Sequence, residues 1–194
     1  MEAKIIDELK EILGKDRVLD SLVDRTAYAY DATWGEALPD VVVLPLSTEE
    51  VSATLRIASR ERIPVVPRGA ASGLSGGAVP VAEGICLGLS RMNKILEINL
   101  DELVAVVQPG VVNMDLQEAV AEYGLFFPPD PASWYMATLG GNVAENAGGP
   151  RCLKYGVTKD YVLGLEVVLA NGQIMRTGGR TIKNVAGYDL TSLF

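Results

Sequence analysis

The chain has 194 residues, 48% hydrophobic and 22% charged, so it can bury a genuine core and is not composed like a disordered segment. Its 17 basic and 25 acidic residues leave a net charge of −8 with no basic patch, which removes the electrostatic footprint of a nucleic-acid binder. It has no histidine, so His-based triads, HExxH zinc sites and imidazole acid–base catalysis are excluded within these residues.

Met1–Leu13 (MEAKIIDELKEIL) is acidic and amphipathic, with Ile5, Ile6, Leu9, Ile12 and Leu13 in one stripe, and predicts a helix lying on a core. It has neither the basic n-region nor the apolar h-region of a signal peptide, and no apolar run approaches a transmembrane segment in length. Two cysteines, Cys86 and Cys152, are too few for a disulfide framework and fit a reducing, cytoplasmic location. Asp40–Leu46 (DVVVLPL) predicts a buried strand. Ser47 to Glu50 has capping-box spacing, and Val51, Leu55 and Ala58 continue a helical stripe that must stop before Pro64.

Pro64–Pro67 predicts a short strand feeding PVVPRGAASGLSGGAVP, residues 64–80, with glycines at 69, 73, 76 and 77. Neither familiar phosphate motif is present. Gly76-Gly77 is followed by Ala78-Val79-Pro80 rather than Lys-Ser/Thr, and Gly69 to Gly73 has the wrong spacing for GxGxxG. The underlying mechanism needs only small residues in succession, whose backbone N–H groups converge into a concave nest for an anion. Ser72 and Ser75 add hydroxyls and Arg68 a positive charge. The competing reading is a surface turn or flexible linker; entry from an apolar strand and Leu74 among the small residues favour a ligand loop.

Gly84–Leu89, Lys94–Ile98 and Leu103–Val107 predict three further strands in a small meander. Asn113 is the expected N-cap of a helix carrying Leu116, Ala119, Val120 and Tyr123, ended by Gly124. From Phe126 a long Gly-, Pro- and Asn-rich stretch follows, of a length usually reserved for function. It contains a second glycine loop, Gly140-Gly141-Asn142 and Asn146 to Gly149, with room for a one-turn helix presenting its N-terminal N–H groups. Two such loops on an acidic chain suggest a long ligand with a diphosphate. Gly164–Ala170, the turn Asn171-Gly172 and Gln173–Thr177 predict a hairpin. The remaining GGRTIKNVAGYDLTSLF closes on a helical-looking Asp189–Leu193 and two large apolar residues, and reads as a chain cut short of its natural end.

Four stretches in order resemble the flavin-binding half of the vanillyl-alcohol-oxidase/PCMH-type flavoprotein family: PVVPRGAASGLSGGAVP, VVQPGVVNMDLQEAV, PPDPASWYMATLGGNVAENAGGPRCLKYGVTKDYVLGLEVVLANG and KNVAGYDLTSLF. Within it the likeness is strongest to the D-2-hydroxyacid dehydrogenases typified by the FAD subunit of glycolate oxidase, over about residues 40–194. The resemblance implies an α+β fold: a PCMH-type FAD-binding domain of two α/β subdomains with the cofactor extended between them. On this expectation residues 1–37 are an N-terminal helical segment, 38–132 the first subdomain and 133–194 the second, incomplete one, with the substrate cap absent.

Carried over residue by residue, Pro67, Arg68, Gly69, Ala70, Ala71, Ser72, Gly73, Leu74 and Ser75 form the loop whose amides hold the FAD diphosphate. Pro109 and Gly110 match a turn beside the cofactor. Pro129, Asp130, Pro131 and Ser133, then Thr138, Gly140, Gly141 and Asn142, match the segment lining the ribityl chain and isoalloxazine. Asn146, Gly148 and Gly149 match the following turn, and Tyr155, Gly156, Thr158 and Asp160 a further cofactor-facing loop. Pro129–Pro131 also reads as a rigid turn, and Tyr155 as a core residue. Family members that attach flavin covalently use a histidine in the first loop, where this chain has Gly69-Ala70-Ala71. A bicovalent member adds a cysteine upstream of the second glycine pair, whereas Cys152 lies downstream and is expected to be a buried thiol. The implied cofactor is therefore non-covalent FAD, with no metal assigned.

The family's catalytic groups lie in the cap, so no catalytic residue is assigned here; Arg68 and Lys154 could favour negative charge on a reduced flavin or its phosphates, but as exposed cations they are expected to be solvated surface charge. The implied parent activity is hydride transfer from a small hydroxyacid to FAD N5, with electrons leaving through an iron–sulfur subunit. A homodimer through bared apolar surface and a peripheral membrane location through partner subunits are further expectations. The alternatives are another reaction on the same FAD module, or an interaction module without activity of its own.

Overall fold

In the computed structural model, which describes residues 1–181, 183 and 185–194, the N-terminal stripe forms α1 (Ala3–Leu13). Ile5, Leu9 and Leu13 recur four residues apart and are buried, while Ile12 stays on the exposed side. The chain packs as two compact units, Met1–Met92 with Val168–Ile174, and Asn93–Val167 with Met175–Phe194. Ile182 and Asn184, in the GGRTIKNVAGYDLTSLF run, lie outside the described residues.

The first unit is built on β1 (Val18–Leu19), α2 (Leu22–Thr26), β2 (Val41–Val43), α3 (Thr48–Glu61), β3 (Val65–Arg68) and β4 (Ile85–Gly88). The sheet order is β1-β2-β4-β3, with β1 antiparallel to β2 and the other neighbours parallel. Strand β2 is buried on both faces. Val41 and Val43 join Leu9, Leu13, Ile57, Ile85 and Leu87, whereas Val42 meets Leu44 and Cys86 on the opposite side. That is why its sequence is continuously apolar rather than alternating. Burial pushes the Cys86 thiol up to about 11.

Ser47 caps α3, its Oγ accepting from the Glu50 N–H at 3.3 Å. The Glu50 carboxylate accepts from the Leu46 N–H at 2.7 Å and pairs with Arg17, tying the start of α3 to the turn before β1. Burial works against that charge, but Arg17 and the Leu46 N–H outweigh it and hold the carboxyl below its usual value. Replacing Ser47 with Ala is expected to cost about 1 kcal/mol in a denaturant melt, the usual worth of an N-cap side chain.

The second unit contains β5 (Ile95–Asn99), β6 (Val104–Val107), α4 (Asn113–Ala121), α5 (Leu139–Ala144), α6 (Cys152–Tyr155), a 3-10 turn at Thr158–Tyr161, and most of the hairpin β7 (Gly164–Val168) and β8 (Ile174–Gly178). Val111, Leu116, Val120 and Leu139 form its core, with Ile95, Ile98, Val107 and Phe127 packed against them. The expected meander is not formed. The four buried residues of β4 insert in parallel between β2 and β3, leaving β5 and β6 to pair with each other.

Two local expectations also change. Asn113 is not the N-cap of α4 but its first residue, fully buried, and its Nδ2 donates to the Pro129 carbonyl at 3.1 Å. One turn later Gln117 exchanges hydrogen bonds with the Phe127 backbone, so two α4 amides hold the start of the long loop. Asp189–Leu193 forms turns rather than a helix, because the Asp189 carboxylate accepts from both the Ser192 N–H and hydroxyl. No helix among the described residues is long and apolar enough to cross a membrane.

Candidate functional site: two glycine loops and the turns that hold them

In the first unit the loop leaves β3 at Arg68 and runs through Gly69, Ala70, Ala71, Ser72, Gly73, Leu74 and Ser75 before Val79 re-enters the core. Ala71 has φ 55, a left-handed backbone in a non-glycine residue, and its carbonyl accepts from the Ala32 N–H at 3.2 Å. Such a conformation costs energy and persists only where the surroundings impose it. No carboxylate occurs between Arg68 and Val81, so nothing in the loop itself repels an anion.

Arg68 is not the expected solvated cation. It is 8% exposed, its Nη1 donates to the Ala78 carbonyl at 3.3 Å, and its guanidinium lies 5.4 Å from the Tyr28 ring centroid. The alternation of β3 turns its side chain inward, where Tyr28 and a backbone carbonyl receive it. Leu74 is 80% exposed and takes no part in the core of this unit. Burial raises the Tyr28 phenol above its usual value.

In the second unit, residues 109–113 and 137–140 zip together. The Pro109 carbonyl accepts from the Gly140 N–H at 2.8 Å, the Val111 carbonyl from the Leu139 N–H at 2.8 Å, and the Asn113 N–H donates to Ala137. A Cβ on Gly140 would come within 2.7 Å of Pro109 Cβ, so only glycine lets the Pro109–Gly110 turn lie this close. Thr138 caps α5, its Oγ1 accepting from the Gly141 N–H at 3.3 Å. Pro131 and Ser133 supply the carbonyls of the turn before it, accepting from Trp134 and from Met136 and Ala137.

Asn142, on α5, is 3% exposed, and its buried Nδ2 has no hydrogen-bond partner within the chain. Among described buried side-chain polar atoms it is the one left unsatisfied. A buried amide donor without an acceptor costs about 1–3 kcal/mol, so this one calls for a partner from outside the chain, a water or a ligand atom.

The remaining residues close this loop on itself. Asn146, at φ 48, accepts the Lys159 N–H on Oδ1 at 3.0 Å. Gly149 lies against the Asp130 backbone, and the Asp130 carboxylate accepts from the Arg151 N–H at 3.1 Å and pairs with its guanidinium at 3.2 Å. Thr158 is buried and its hydroxyl donates to the Ala147 carbonyl at 2.6 Å, while Asp160 accepts from the Val157 N–H at 2.8 Å beside Gly156. Gly148 packs next to Cys152. The Thr158 hydroxyl and one oxygen of the Asp160 carboxylate are thus engaged by the chain itself.

Tyr155 is not a core residue: it is 37% exposed, edge-on to Phe126 at 5.4 Å, with its hydroxyl accepting from Lys154 Nζ at 3.0 Å. That hydrogen bond raises the Lys154 ammonium above its usual value. Cys152 is exposed, not the expected buried thiol, because α6 is a single short turn on the outside of the loop. The residues that sequence reasoning missed are Tyr28, Asp31 and Ala32 beside the first loop, and Gln117 beside the second stretch. None of them lies in a glycine-rich run, so no composition signal marks them.

The FAD binding domain family model matches residues 39–178. The chain is 52% identical over 189 residues to the glycolate oxidase subunit GlcD of Bacillus subtilis, covering 97% of this chain and 40% of that protein. It is 46% identical over 193 residues to a D-lactate dehydrogenase of Archaeoglobus fulgidus, covering 97% of this chain and 42% of that one. Among solved structures, an alkyldihydroxyacetonephosphate synthase superposes with a TM-score of 0.87 at 25% identity, over 100% of this chain and 37% of the other. A p-cresol methylhydroxylase does so with 0.79 at 28% identity, over 98% and 37%. The chain thus spans about two fifths of the curated relatives it matches. With a family model over most of its length and a mixed α/β fold shared with these solved structures, the chain belongs to the FAD binding domain family.

Proposed function

We propose that the chain is the FAD-binding portion of a flavin-dependent D-2-hydroxyacid oxidoreductase of the glycolate- and D-lactate-oxidising kind. The observation that carries this is the 52% identity to the glycolate oxidase subunit, sustained over 97% of the chain. FAD, when bound, supplies the acceptor at N5 for the hydride leaving C2 of the hydroxyacid.

The residues of this chain bind and orient. Backbone N–H groups of Gly69–Ser75, the loop entered through Pro67 and Arg68, hold the diphosphate. Pro109, Gly110, Pro129, Asp130, Pro131, Ser133, Thr138, Gly140, Gly141 and Asn142 line the ribityl chain and ring, with Asn142 Nδ2 donating to the cofactor. The turn of Asn146, Gly148 and Gly149 and the loop of Tyr155, Gly156, Thr158 and Asp160 complete that side. Without histidine, the first loop holds the cofactor non-covalently. The hydroxyl proton leaves to a base that this chain does not supply, and we assign that base to a substrate-binding cap outside it.

The Bacillus relative is named as a subunit, which supports a multi-subunit assembly here; we assign the electrons to an iron–sulfur partner and the assembly to the cytoplasm or the membrane surface. The likeness to structures of a synthase and a methylhydroxylase favours a second reading, the same FAD module serving a different substrate. One experiment separates them. Denaturing the full-length protein is expected to release FAD, and the folded protein to reduce a dye with glycolate, D-lactate or D-2-hydroxyglutarate. Released FAD with no turnover of any of the three selects the second reading, and no FAD rejects both.

A further inference from the structure

The first glycine loop is gripped from outside by groups that the proposed function leaves unused, the Arg68 guanidinium among them. Arg68, at its entrance, reaches across ten residues to the Ala78 carbonyl at its exit, closing residues 68–78 into a ring. Tyr28 supports the guanidinium from below, at 5.4 Å. In the middle, the Ala71 carbonyl receives the Ala32 N–H, which is what holds φ 55 in place. Ala32 is itself aimed by Asp31, whose Oδ1 accepts from the Thr33 N–H at 2.7 Å and from the Thr33 hydroxyl at 2.5 Å, an Asx-turn with Ala32 at its centre. The Thr33 hydroxyl, then its N–H, the Arg68 charge and the Ala78 N–H all favour the ionised carboxylate, more than burial opposes it. Every member of this set belongs to the first unit.

We infer that Tyr28, Asp31, Ala32 and Arg68 form a clasp that presets the diphosphate loop, with Asp31 and Arg68 acting as positioning residues rather than phosphate ligands. The inference rests on the FAD reading of the loop and adds residues 28–33 to it. A flexible loop of ten residues must lose its freedom when it closes on a diphosphate. A loop already held at both ends and at its midpoint has lost most of that freedom beforehand, which strengthens binding without adding a contact. It also accounts for an arginine at a phosphate loop that is buried among protein groups instead of facing solvent.

Charge and preorganisation predict opposite signs, which makes the clasp testable. Asp31→Ala removes a negative charge from the unit that holds the diphosphate, so electrostatics alone predicts tighter FAD binding. The clasp predicts weaker binding, by about tenfold for the loss of one or two hydrogen bonds. Arg68→Lys keeps the charge but loses the fork and the flat stacking surface, and is expected to weaken FAD to a similar degree. The measurements are FAD titration of the flavin-stripped full-length protein, and amide hydrogen exchange of residues 69–78 in that stripped form.

Weaker FAD together with about tenfold faster exchange in Asp31→Ala supports the clasp. Tighter or unchanged FAD, or weakened FAD with unchanged loop exchange, overturns it. Asp31→Asn, which retains an acceptor oxygen for Thr33, covers the case in which the alanine variant does not fold. It is expected to stay within about threefold of the parent in both readouts, and tighter FAD there speaks for charge and against the clasp. If the unsubstituted protein binds no FAD, the reading of the loop fails instead, while exchange in the stripped protein still decides whether residues 28–33 hold it.

Discussion

Gly149→Ala is expected to strip the protein of FAD and to destabilise the second unit by about 3 kcal/mol or more, read as a drop in melting temperature and a colourless preparation. Gly149 has φ 142, a backbone region that alanine enters only under strain. A Cβ there lands on the Asp130 carbonyl, well inside contact distance, and backbone atoms cannot swing aside as a side chain can. Relief requires the 129–131 and 146–151 segments to part, which breaks the Asp130–Arg151 pair and the 3.1 Å bond from the Arg151 N–H. Gly124 is the internal control. Its φ is 71, but nothing lies within 4 Å of the position a Cβ would take. Gly124→Ala should cost only about 1 kcal/mol of backbone strain and leave FAD in place. Equal losses in the two variants would mean that backbone conformation, not the close approach of the loops, governs the site.

Asn142→Leu is expected to separate stability from binding. In the flavin-stripped protein the substitution removes a buried donor that has no partner, so the melting temperature should hold or rise. In the same protein FAD affinity should fall by about tenfold or more, since a buried donor to a ligand atom is worth about 1–3 kcal/mol. Fluorescence titration of FAD and a thermal melt without it read the two effects. Parallel loss of both would show that the Asn142 amide serves the fold. Unchanged affinity would remove it from the cofactor's surroundings. Asn142 is a sharper probe than its glycine neighbours, because its effect on the apo protein and on the complex should differ in sign.

Much of the architecture is legible in the sequence. DVVVLPL predicted a buried strand and Ser47 a helix cap because both signals are local: continuous apolar residues need two covered faces, and a serine before a helical stripe satisfies an orphan N–H. The two glycine loops stood out for the same reason, since backbone that must approach other backbone excludes side chains. Partnership was less accessible. Strand β4 has the composition of a meander strand, yet its place is between β2 and β3, and only tertiary pairing decides that. Asn113 has the residue type and position of a cap, but spends its amide on Pro129, sixteen residues away.

Burial of individual side chains was the least legible level. Arg68 and Cys152 were both assigned by residue type, the arginine to solvent and the cysteine to the interior, and both are reversed. A residue's type sets the cost of burying it; whether neighbours offset that cost depends on what the fold brings up beside it. The Tyr28 ring and the Ala78 carbonyl do so for Arg68, whereas the short turn of α6 leaves Cys152 outside.

The sequence by itself determined the family and the chemistry the loops are suited to, because small residues, missing histidine and ordered motifs are properties of the chain read end to end. The tertiary structure alone decided which atoms remain available for a ligand. Hydrogen bonds are exclusive: once Thr158 and Asn113 have spent theirs on backbone groups more than ten residues away, Asn142 Nδ2 is left over, and no linear reading of residue types can show that remainder.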